Sequence, residues 1–134
     1  MLRCDALFAL GADNPARYAE ALAGYESLAP ALESAFKAAR TLEKLGRMDE
    51  AIDRYYAGVV CAYIDLREGG GEPAPGDSAF FVRAAFRLAD EFDKRGEREK
   101  ALRMLRLAAD GAEPAVAREA RRRMEAIKSK GGGR

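Results

Sequence analysis

The sequence predicts an all-α protein of about seven helices, paired as antiparallel hairpins and stacked into an α-solenoid. Three observations lead there. Helix-forming residues dominate, and no alternating run of Val, Ile and Thr suggests a strand. The stretch Ala35 to Ala62 returns as Ala85 to Asp110, aligned without a gap at an offset of 50. Each copy carries apolar residues three and four apart, interrupted by one glycine where a helix would have to end.

From the N-terminus, Leu2–Leu10 has a short helical pattern, and Asn14 followed by Pro15 reads as an N-cap and first helical residue. Tyr18, Ala21, Leu22, Tyr25 and Leu28 then fall on one face, so residues 1–30 are expected to form a degenerate hairpin capping the stack. Residues 31–66 form the first full repeat. Ala35, Ala38, Ala39, Leu42 and Leu45 share a face, Gly46 ends the helix, and Asp49 is the expected N-cap of the next. Met48, Ala51, Ile52, Tyr55, Val59 and Ala62 make the stripe of the second helix. Ala39, Ala51 and Gly58 are small enough to let the two helices approach closely.

Residues 67–77, rich in Gly and Pro, read as a flexible loop insert, with Asp77 or Ser78 capping the helix that follows. Residues 78–111 form the second repeat. In it Ala85, Phe86, Ala89, Phe92, Gly96, Ala101, Leu102 and Leu105 stand where the first has Ala35, Phe36, Ala39, Leu42, Gly46, Ala51, Ile52 and Tyr55. Pro114 opens a last helix to residue 130, a cap with Val116, Ala120, Met124 and Ile127 as its apolar face, and residues 131–134 are expected to be a disordered tail. Residues 1–130 are thus expected to be one domain.

The spacing L-x3-G-x4-A-x3-Y at Leu42, Gly46, Ala51 and Tyr55, with Ala89, Phe92, Gly96, Ala101, Ala108 and Pro114 in the second copy, resembles the tetratricopeptide repeat family. The chain departs from the family pattern in lacking its Trp, and in a repeat offset of 50 against 34, which a longer second helix and the loop insert absorb. The resemblance implies a right-handed solenoid and a non-catalytic scaffold or adaptor. In the family the first helices of the hairpins line a concave partner groove, which here implies Phe36, Lys37, Arg40, Lys44, Arg83, Phe86, Arg87, Asp90 and Lys94. Arg83 and Arg87 are similar to the Lys-x3-Arg half of a carboxylate clamp, whereas Phe36 and Arg40 stand where that clamp has Lys and Asn. A positive strip flanked by two Phe would suit an acidic protein or peptide.

Composition narrows the alternatives. Apolar residues make up 49%, charged residues 34%, and the net charge is +1, as in a folded globular chain. No apolar run approaches the ~20 residues of a membrane helix, and the N-terminal run broken by Asp5 does not read as a signal peptide. The expected compartment is the cytoplasm, with the periplasm as the alternative for a piece of a longer precursor. The chain has no His, and Cys4 and Cys61 lie far apart, so no metal or other cofactor is expected and Cys61 is read as a buried thiol. There is no phosphate-binding Gly-rich loop, and the carboxylates sit among Lys and Arg at exposed spacings, so no enzyme is expected. From Pro114 on there are seven basic and two acidic residues. With no aromatic interleaved, this reads as a solvated cap, and no nucleic acid is expected. The alternatives are an anionic-surface or nucleic-acid binder through this helix, or a bacterial envelope-assembly or regulatory module, which Pro114–Met124 resembles.

Overall fold

The computed structural model describes residues 19–24, 32–110 and 113–132, and all its regular structure is helical. A helical stretch at 19–24 precedes α1 (Leu32–Lys44), α2 (Met48–Asp53), a π-helical stretch (Arg54–Cys61), α3 (Ala62–Glu68), α4 (Asp77–Lys94), α5 (Arg98–Asp110) and α6 (Pro114–Gly132). Packing divides the chain into two compact units, Met1–Phe80 and Phe81–Arg134. The division falls inside α4, away from the boundaries expected for the repeats. The readings placed on Leu2–Leu10, Cys4, Asn14, Pro15, Tyr18, Tyr25 and Leu28 lie outside the described residues. Ala21 and Leu22 are buried as expected.

In the first unit, α1 pairs with the run from α2 through the π-helical stretch. The turn between them follows from Gly46. Its φ is +78°, which only glycine adopts without strain, and two bonds close the helix end: Arg47 N–H donates to Leu42 C=O at 2.9 Å and Gly46 N–H to Glu43 C=O at 3.0 Å. Gly96 repeats this geometry between α4 and α5 with φ +77°, Glu97 bonding back to Phe92 and Gly96 to Asp93. The sequence offset therefore reproduces a structural turn, atom for atom.

The small-residue seam is present. Ala39 and Ala51 are wholly buried, and a Cβ built on Gly58 would lie 2.9 Å from that of Ala35. The pairing runs antiparallel: Gly58 meets Ala35, while Tyr55 further back donates its hydroxyl to Glu43 Oε2 at 2.5 Å. Thr41, also wholly buried, satisfies its hydroxyl locally by donating to Lys37 C=O at 2.7 Å.

Several expectations need correction. Asp49 is not the N-cap of α2. The helix starts one residue before it, at Met48, with Arg47 in the cap position and no side-chain cap bond, and Arg47 instead pairs with Glu50. The long second helix is not uniformly α. Eight residues are π-helical, and the wider turn carries both Val59 and Val60 to complete burial, with Tyr63 buried one turn on while Ala62 is only half-buried. Cys61 is half-buried rather than sealed in the core. The loop is shorter than 67–77, because α3 runs through Glu68 and α4 starts at Asp77. Asp77 is buried and faces back into that loop, accepting Ala74 N–H at 2.7 Å rather than capping its own helix.

In the second unit, α5 buries Ala101, Leu102, Met104, Leu105 and Ala108, and α6, which packs on it, buries Ala117, Ala120 and Ile127. Val116 and Met124, expected on the apolar face of α6 with Ala120 and Ile127, are only half-buried. The helix also continues through Gly131 and Gly132, two residues into the stretch expected to be a disordered tail. No helix among the described residues is long and apolar enough to cross a membrane.

Candidate partner-binding surface

The nine residues of the expected groove divide between the two units. In the first unit Phe36, Lys37, Arg40 and Lys44 lie on α1. Phe36 is only 4% exposed. Its ring meets Tyr55 edge-on at 5.5 Å and Phe80 at 5.3 Å, so it belongs to the core of the hairpin and cannot line an open surface. Lys37 and Arg40 are half-buried and Lys44 is exposed. Lys37 is committed to Glu33 at 3.2 Å, one helical turn away.

In the second unit Arg83, Phe86, Arg87, Asp90 and Lys94 lie on α4. Arg83, Asp90 and Lys94 are exposed, and Phe86 and Arg87 half-buried. Phe86 is not an open anchor either. The Arg123 guanidinium of α6 lies over its ring, 4.5 Å from the centroid, and reaches Asp90 at 3.8 Å. Asp90 therefore faces Arg123 of α6. One turn on, Lys130 pairs with Asp93 at 2.9 Å. These two links bridge a cleft of about 280 Å³ between α4 and α6, lined by Ala89, Ala126 and Ile127, with Asp90 and Asp93 contributed by α4 and Arg122, Arg123 and Lys130 by α6.

The expected positive strip is also blunted from within α4. Glu91 takes Arg95 at 3.1 Å and Arg87 at 3.3 Å. The Arg95 hydrogen bond, helped by the Arg87 charge, lowers its carboxyl below the ordinary value despite partial burial. The same chemistry recurs on α6. Hydrogen bonds from Arg122 and then Arg123 hold Glu119 at about 2, and Arg122 is raised in return. Glu50 is lowered in the same way by Arg47.

Sequence reading missed Glu91, Asp93, Arg123 and Lys130 as determinants of this surface. The pairs three and four apart, Arg87–Glu91, Glu91–Arg95 and Glu119–Arg122, were within reach of helical spacing. The pairing of Lys130 with Asp93 across 37 residues was not. Among the described residues no group of three Cys, Asp or Glu side chains could hold a metal ion. Compared with known proteins, the chain matches no family model, no curated protein and no solved structure.

Proposed function

We propose that the protein is a non-catalytic interaction module of the tetratricopeptide kind, a right-handed stack of about seven helices that holds an acidic protein or peptide along the first helices of its hairpins. The observation that carries this is the duplicated hairpin. Gly46 and Gly96 close the same turn with the same two hydrogen bonds, and Ala39 and Ala51 are as deeply buried as Ala89 and Ala101. A chain that restates one hairpin in this way builds a surface by repetition, which is the use repeat proteins make of it.

With Phe36 in the core and Phe86 beneath Arg123, the exposed cations of these two helices are Lys44, Arg83 and Lys94, with Lys37, Arg40 and Arg87 half-buried. Asp90 belongs to the Arg123 contact. The carboxylates with lowered pKa support a reading without catalysis. Arginine partners keep Glu50, Glu91 and Glu119 ionised, the opposite of what a general acid needs. The pairing of Arg122, Arg123 and Lys130 with Glu119, Asp90 and Asp93 weighs against a nucleic-acid role for that side of α6, since phosphate would have to displace those carboxylates.

The test is affinity capture from the source organism's lysate with mass spectrometry, run in parallel with the K44E/R83E double variant. The expected result is enrichment of one protein that bears an acidic segment, lost in the variant while its circular dichroism is unchanged. Equal recovery by both chains, or recovery of no protein, refutes the proposal.

A further inference from the structure

The two compact units carry opposite charge. Residues 1–80 hold eight basic and thirteen acidic residues, and residues 81–134 hold fifteen basic and nine acidic. Their net charges are therefore −5 and +6, a separation that the overall +1 conceals.

Much of this charge is uncommitted. On the outer sides of α5 and α6, which pack together, Arg98, Arg103, Arg106, Arg118, Arg121 and Lys128 are exposed, and none of them makes an ion pair or side-chain hydrogen bond. The acids left on these helices, Glu99, Asp110 and Glu125, are outnumbered two to one. In the first unit Asp65, Glu68 and Glu72, at the end of α3 and in the loop after it, are likewise exposed and unpaired. Elsewhere the chain pairs its charges readily, as at Glu91 and Glu119, so surplus of one sign at each place leaves two surfaces whose natural complement is the other.

We infer that the protein associates head to tail with a second copy of itself, the acidic end of α3 and its loop on one copy facing the basic outer side of α5 and α6 on the other. The contact joins two different surfaces, so it is heterologous. It closes into a ring or extends as a chain of copies according to the rotation between them. Being built from exposed charge, it is screened by salt, whose Debye length falls to about 3 Å at 1 M. The inference is independent of the partner proposed above, which uses cations of α1 and α4.

Sedimentation velocity of the full chain at about 100 µM tests it, in about 20 mM and about 500 mM sodium chloride. Mass above the monomer at low salt is expected, with association weakened at least about tenfold at high salt. Two charge-reversed chains complete the test. D65K/E68K makes the first unit more basic, and R118E/R121E makes the second more acidic. Each alone should be monomeric at low salt, and an equimolar mixture should associate again, because the unchanged basic side of the D65K/E68K chain then meets the unchanged acidic end of the R118E/R121E chain. All substituted side chains are exposed, and circular dichroism checks that each variant is folded. A monomeric wild-type chain at low salt overturns the inference, as does association that persists at 500 mM salt, self-association of either variant alone, or a mixture that stays monomeric. A wild-type chain that is monomeric yet binds polyglutamate assigns the basic face to another acidic partner and overturns it as well.

Discussion

The close approach of Gly58 to Ala35 makes the packing of the first hairpin measurable. A methyl group added by Gly58→Ala would sit 2.9 Å from the Ala35 Cβ, where carbon atoms prefer about 3.5–4.0 Å. Both atoms are fixed to backbone, so no side-chain rotation relieves the contact and the helices must separate. Overpacking of this kind costs about 1–3 kcal/mol. Alanine returns about 0.5–1 kcal/mol over glycine inside a helix. The net expectation is a loss of about 0.5–2 kcal/mol, or a melting temperature lower by roughly 2–8 °C. Ala35→Gly alone loses about 1 kcal/mol through helix propensity. In the double variant the methyl has moved from one helix to the other and the clash is gone, so its stability should exceed that expected from adding the two single losses by about 1 kcal/mol. Urea unfolding followed by far-UV circular dichroism measures all four chains, with an unchanged m-value showing that the native state is the same. Strict additivity, or a Gly58→Ala chain at least as stable as the wild type, would refute the pairing of these helices.

Further outcomes follow from the bonds described above. Tyr55→Phe removes the hydroxyl whose hydrogen bond Glu43 accepts and should cost about 1.5–3 kcal/mol in urea unfolding; an unchanged stability would disprove the bond. Gly46→Ala and Gly96→Ala each force a side chain into positive φ and should each lose about 1–2 kcal/mol, with Asn less damaging than Ala. The Glu119 carboxyl should titrate near 2 rather than 4.5 in an NMR titration. Because its folded pKa lies below the unfolded one, its contribution is complete above about 4.5 and fades as the pH falls toward 2. Glu119→Gln should therefore flatten the pH dependence of unfolding in that window, and a titration midpoint near 4.5 would refute the arginine pairing.

What could be read from sequence was what local rules govern. Gly46 and Gly96 announced their turns because a helix end needs positive φ, and Ala39, Ala51 and Gly58 announced the seam because only small residues allow close approach. What could not be read depends on chain brought from afar. Phe36 looked like a groove residue until Phe80, beyond the loop, closed over it. Phe86 occupies the equivalent position, yet its ring is covered by Arg123 from α6, so sequence equivalence did not carry equivalent surroundings. The π-helical stretch has no local signature. It accompanies the complete burial of adjacent Val59 and Val60, which an α-helix would turn about 100° apart.

That stretch has a consequence for how the chain tolerates changes in length. A π turn holds more residues than an α turn, so it stores slack. Deleting one residue between Arg54 and Cys61 can be absorbed by tightening toward α geometry, leaving α3 facing much as before. The same deletion in the middle of α1 has no such reserve. Everything beyond it would swing by about 100°, taking Leu42 and Thr41 out of the core and misplacing Gly46. Single-residue insertions and deletions among natural variants of this chain should therefore collect in the π-helical stretch and in the 69–76 loop, while α1 keeps its length.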